Sequence, residues 1–126
     1  NVRLSIVGAL AFGLCAYNFQ ILQVGHNSKM VAIALMPMVL AGVVYAYRKK
    51  AFLGAVLFGF ALSFEIAANH PQITFYLGMI ILAYVIAQLV SAIKNKTLPA
   101  FIKTSCFVLL ATILAAGTTL AQLGIQ

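Results

Sequence analysis

The chain reads as an all-α bundle of transmembrane helices, and three features lead there. Of its 126 residues, 64% are hydrophobic and 7% charged. With a mean hydropathy of +1.10, there is too little polar surface to cover a water-soluble fold. The apolar residues form long runs that are apolar on every side, which suits helices that satisfy their own backbone in lipid and not alternating strands. Lys and Arg collect at alternate ends of those runs, as in a chain that crosses a bilayer back and forth.

The spans expected from the polar breaks are about Leu4–Gln23, Met30–Tyr47, Ala51–Ala68, Ile73–Ile93 and Thr104–Leu123. Each is close to the ~20 residues that cross the hydrocarbon at 1.5 Å per residue. The first follows Arg3 and passes Cys15 without a polar break. Leucine precedes that cysteine where a lipoprotein cleavage site needs a small residue, so one continuous spanning helix is expected. Ala9-x-x-x-Gly13 in the first span, and Ala55-x-x-x-Gly59 with Ser63 in the third, have the small-residue spacing that lets helices approach closely. Pro37 lies inside the second span, where it removes a backbone donor and favours a kink. Tyr45 and Tyr47 beside Arg48-Lys49-Lys50 read as an interfacial anchor. The stretch Lys94–Lys103, with Leu98-Pro99-Ala100-Phe101, reads as a loop lying flat on the membrane surface. The chain has no initiator methionine and no charged tail, as expected of a slice of a longer polytopic protein whose residues 1–126 form one transmembrane segment.

Of the eight Lys and Arg residues, all but Lys29 fall at one set of span ends. That asymmetry predicts a cytoplasmic N-terminus and places the turns Val24–Lys29 and Ala68–Gln72 outside. The same placement sets topology and argues against a nucleic-acid partner, despite the net charge of +7. Cys15 and Cys106 lack any CxxC spacing and read as small apolar residues.

Both histidines fall in those outer turns, Gly25-His26-Asn27-Ser28-Lys29 and Asn69-His70-Pro71-Gln72. Asn27 or Ser28 is expected to cap the second helix. Asn69 is expected to cap the fourth, with Pro71 in its first turn. Two helix N-termini, Lys29 and two imidazoles then face one leaflet, an arrangement suited to phosphate. Glu65, the only carboxylate side chain, lies one turn before Asn69. At that depth it needs a wet cavity or a partner, and Lys29 or a histidine is the expected partner, in a site or in a structural clamp. Gln72, Thr74 and Tyr76 begin the next helix and are placed to bond a polar headgroup. No cofactor is evident; two histidines and a glutamate can hold zinc, but no fixed metal-binding spacing supports a divalent ion.

The stretches GHNSKMVAIALMPMVLAG, YRKK and FEIAANHPQITFYLGMIILAYVI resemble the YfhO-like bacterial membrane proteins, grouped with the GT-C-type glycosyltransferases. The resemblance runs from about Val24 to the end and rests on HNSK and ANHPQITFY in that order. It implies part of a larger membrane domain in the bacterial inner membrane. The implied activity takes a sugar from a polyprenyl-phosphate donor to an acceptor on the periplasmic face. The matching positions are His26, Asn27, Lys29, Glu65, Asn69, His70 and Gln72. Lys29 and the helix ends are assigned to the donor phosphate, and His70, held by Glu65, to orienting the site. The aspartate base typical of such enzymes has no counterpart, since the chain contains no aspartate; it is expected in the remainder of the polypeptide, or activity requires other membrane subunits. Two further readings stay open: a secondary transporter with a Glu65–His70 proton relay, and a noncatalytic scaffold whose outer turns bind lipid or a partner.

Overall fold

The computed structural model describes residues 1–124 and is all-helical, in six segments: α1 (Val2–Gly13), α2 (Ala16–Val24), α3 (Asn27–Arg48), α4 (Ala51–Ala67), α5 (Pro71–Lys94) and α6 (Leu98–Gly124). Val2–Val24, α3, α5 and most of α6 are long and apolar enough to cross a membrane. At 17 residues α4 is shorter, about 26 Å at the helical rise. The outer faces carry an apolar jacket that includes Phe52, Phe60, Phe64, Phe75, Leu82, Leu109 and Ile113, all exposed. Water does not tolerate a surface of that kind, and acyl chains do. The chain is a helical-bundle membrane protein.

Two-residue and three-residue links join the last four helices, so consecutive helices run antiparallel. The short α4 lies between α3 and α6. Val39, Val43, Phe58, Ala61, Leu62, Leu77, Val108 and Ala115 form the main core. The tightest crossing is between α3 and α4. A Cβ on Gly42 would stand 2.6 Å from the Phe58 amide nitrogen, and one on Gly54 would run into the Ala46 backbone. The Gly59 spacing noted in the sequence serves the other side of α4, where a Cβ would meet that of Ala111 at 3.1 Å. Inside the spans, hydroxyls bond back to their own helix: Ser63 donates to the Gly59 carbonyl at 2.8 Å and Thr112 to the Val108 carbonyl at 2.9 Å. For these two hydroxyls the helix itself supplies the partner that lipid does not.

Several expectations change. The first span is not one helix: it breaks at Leu14–Cys15. Asn18, the buried polar residue of α2, donates through Nδ2 to the Phe12 carbonyl at 2.8 Å and so occupies a group the break exposes. Asn18→Leu removes that bond. It is expected to cost about 1 kcal/mol, read as a lower melting temperature of the detergent-solubilised protein. α1 buries no residue, and a Cβ on Gly13 would meet nothing within 4 Å; the Ala9–Gly13 spacing packs against nothing among the described residues. The fifth span starts at Leu98 rather than Thr104, because Pro99 fits a first helical turn, so Leu98–Phe101 are helix and not a surface loop.

Tyr47 turns inward instead of anchoring at the headgroups. Its hydroxyl pairs with Ser105 Oγ at 2.9 Å, and its ring packs edge-on to Tyr84 and against Phe101.

Candidate functional site

The corner between α4 and α5 follows from three residues in order. Asn69 takes φ +57°, the left-handed conformation that asparagine tolerates best among residues with a Cβ. His70 precedes a proline and is held away from helical geometry, at φ −124° and ψ 79°. Pro71 opens α5, where its missing N–H loses nothing. The capping position is therefore His70, with no side-chain cap, because Asn69 is spent on reversing the chain. At the other corner Gly25 ends α2 at φ +80°. The His26 amide reaches back to the Ile21 carbonyl, the closing bond of a glycine-terminated helix. His26 then stands where Asn27 or Ser28 was expected to cap, also without a side-chain cap.

Glu65 is 0% exposed, on the same face of α4 as Phe58, Ala61 and Leu62. Its partner is Thr74, in the first turn of α5. Thr74 Oγ1 lies 3.1 Å from each carboxylate oxygen and 3.4 Å from the His70 carbonyl. The expected pairing with Lys29 or a histidine is not formed. The Lys29 ammonium lies instead over the Tyr17 ring, 5.3 Å from its centroid, within cation–π range. The reason is reach: α2 packs its own aromatic ring beside Lys29, whereas Thr74 lies directly across the α4–α5 corner.

Both histidine corners belong to one end of the bundle, since Ile21, Ala32, Ile33 and Ile73 make one apolar cluster joined by Met30 and Ala68. They do not form one site. Beside the second corner lies a cleft of about 410 Å³ lined by Ile66, Asn69, His70, Pro71, Thr74, Phe75 and Thr119. His26, Asn27 and Lys29 take no part in it. Gln72 donates to the Tyr76 hydroxyl at 3.3 Å on the exposed side of α5, so these two residues pair with each other. His70 Nδ1 is buried and has no hydrogen-bond partner, which leaves an unspent polar atom in the residue that lines the cleft.

A second hollow of about 350 Å³ shares Ile66 and Thr74 with the first. It follows α5 from Thr74 through Leu77, Gly78 and Ile81 to Val85, with Phe58 and Leu62 of α4 and Thr112 of α6 opposite. Along α5 this is about 16 Å at the helical rise. The two hollows adjoin at Ile66 and Thr74, the first carrying polar side chains at the corner and the second apolar ones along the middle of α5. Thr119 and Gly78 escaped the sequence reading, because nothing local marks which threonine or glycine faces a neighbour. Among the described residues, no three of the His, Cys, Asp and Glu side chains gather where an ion could be held.

No protein-family model matches the chain, and no curated protein and no solved structure matches it.

Proposed function

We propose that this cleft holds the phosphorylated end and first length of a polyprenyl-phosphate lipid. The chain is then the carrier-binding part of a membrane glycosyltransferase, acting on the periplasmic face of the bacterial inner membrane. The observation that carries the reading is the pairing of two adjoining grooves, an apolar one along α5 and one at the corner lined by Asn69, His70 and Thr119. A single-chain isoprenoid suits the channel, and its phosphate suits the corner. The His70 imidazole and the Asn69 amide can each bond a phosphate oxygen. The start of α5, held in place by the Thr74–Glu65 contact, adds the partial positive charge of a helix N-terminus. The orientation rests on the basic residues Arg48, Lys49, Lys50, Lys94 and Lys96 at the opposite end of the bundle, which the positive-inside rule assigns to the cytoplasm. Sugar transfer itself rests on the resemblance of the two outer turns to GT-C-type enzymes, with the base supplied from outside this chain.

Gly78 offers a clean test. A Cβ there would meet nothing within 4 Å, so Gly78→Leu blocks the channel without straining the backbone. Native mass spectrometry of the purified protein with undecaprenyl phosphate is expected to show one lipid retained by the wild type. Retention falls about tenfold in Gly78→Leu, in line with losing several buried methylenes of contact, and again in His70→Ala. Equal retention by all three proteins rejects the reading. The transporter reading draws on the broken span at Leu14–Cys15, since interrupted helices line transport sites. Uptake of an amphiphilic substrate into proteoliposomes that responds to an imposed proton gradient and stops in Glu65→Gln would favour it.

A further inference from the structure

We infer that a second, separate site at the basic end of the bundle takes the phosphate group of an anionic membrane lipid. The site is a cavity of about 110 Å³ between the last turns of α3 and α5 and the first turns of α6, walled by Tyr47, Gln88, Ser91, Thr97, Phe101 and Thr104. A liquid water occupies about 30 Å³, so the cavity has room for a tetrahedral oxyanion.

The wall is built from hydrogen-bonding side chains at the edge of an apolar bundle. Gln88 brings two amide donors, and Thr97 brings a hydroxyl. Ser91 Oγ accepts from Asn95 Nδ2 at 3.2 Å, which leaves its own proton to donate. Thr104 is buried and gives its proton to the Ala100 carbonyl at 3.0 Å; it rounds out the wall as an acceptor. One turn above Gln88 on the same stripe of α5, the Tyr84 hydroxyl is buried without a partner. Tyr84 packs against the main core and edge-on to Tyr47, whereas Gln88 and Ser91 reach the cavity and are the polar positions that a bound group explains.

Charge selects the ligand. The only carboxylate side chain in the chain is Glu65, at the far end of α4. Basic residues neighbour the cavity walls in sequence, Arg48 next to Tyr47, Lys96 next to Thr97 and Lys103 next to Thr104, with Lys49, Lys50 and Lys94 at the same helix ends. α6 begins at Leu98, next to Thr97, and its N-terminus adds roughly half a positive charge, which the C-termini of α3 and α5 at the same end oppose, so the positive excess comes from the basic side chains. A cation finds no carboxylate here, and an anion finds amide and hydroxyl donors beside basic side chains. The cavity lies at the level where these side chains meet lipid headgroups, so the phosphate of a leaflet lipid is the occupant and not free phosphate.

The test uses the full chain in nanodiscs containing equal amounts of phosphatidylglycerol and a neutral galactosyl diacylglycerol with the same acyl chains, read by native mass spectrometry. One phosphatidylglycerol is expected to be retained about tenfold over the neutral lipid, the discrimination that one charge-assisted hydrogen bond supports. Gln88→Leu combined with Thr97→Val, which removes two of the donors, reduces that preference to near parity, while size exclusion and circular dichroism match the wild type. Inorganic phosphate added at millimolar concentration leaves retention unchanged. Equal retention of the two lipids by the wild type overturns the site, and this arm stands even if the double variant fails to assemble. An undiminished preference in an assembled double variant overturns it as well. Displacement of the lipid by inorganic phosphate overturns the assignment to a lipid. Gly78→Leu, at the other end of the bundle, leaves the preference intact, so failure of the polyprenyl cleft and failure of this site are read separately.

Discussion

Gly54→Leu is expected to prevent assembly of the bundle, seen as loss of the monodisperse peak in size exclusion and of cooperative melting. The reason is contact between backbones. Gly54 faces Ala46 so closely that a single added Cβ overlaps the Ala46 main chain, and Gly42 faces Phe58 in the same crossing, with Cα of Phe58 2.7 Å from where its Cβ would stand. Overpacking a core that can shift its side chains costs about 1–3 kcal/mol. Here no side chain can give way, so α3 and α4 must part along their length. Between helices in lipid there is little hydrophobic drive to offset that separation, and close packing supplies most of the attraction. Gly42→Ala is the milder form of the same experiment and should lower the melting temperature measurably. Gly117→Ala, where the added methyl meets nothing within 4 Å, should leave it unchanged or raise it, because alanine is the better helix former.

Thr74→Val should destabilise the protein by about 2 kcal/mol or more, because it removes the hydroxyl that serves a fully buried carboxylate. The same hydroxyl is within reach of both Glu65 oxygens, so its loss leaves both of them bare at once. Valine fills nearly the same volume, which separates the polar loss from any cavity. The double variant Glu65→Leu with Thr74→Val should recover to within about 1 kcal/mol of the wild type, since an apolar pair of similar size can replace a buried polar one. Chemical denaturation of the four proteins in one detergent checks this. A double variant as unstable as Thr74→Val alone would mean that the carboxylate is served by something other than Thr74.

Much of the fold was legible because membrane helices announce themselves by length and composition. Pro71 opening a helix, the break after Arg48 and the two corners with their histidines all stand where the sequence places them. Other features depend on partners. Cys15 carries no signal for a broken span, and Asn18 makes sense as a polar residue in lipid only once the Phe12 carbonyl is seen beside it. Lys29 is opposite in charge to Glu65 and at the same end of the bundle, which made the pair attractive, yet Tyr17 lies nearer to the lysine and Thr74 to the glutamate. The candidate site divided in the same way. Asn69 and His70 line the cleft as sequence neighbours and Glu65 lies buried behind it on Thr74, whereas His26, Asn27 and Lys29 stay at their own corner and Thr119 arrives from α6.

By itself the sequence determined that this chain is helical, that it belongs in a membrane, and which helix ends share a side. Those properties follow from apolar length and from where the charges interrupt it. Only the tertiary structure decided that Gly42 and Gly54 make the close crossing, that Glu65 answers to Thr74, and that a cleft runs between α5 and α6. Helices that are apolar all round carry almost no signal for how each is turned about its own axis. Those facing directions emerge when small residues, hydroxyls and short turns are packed against one another.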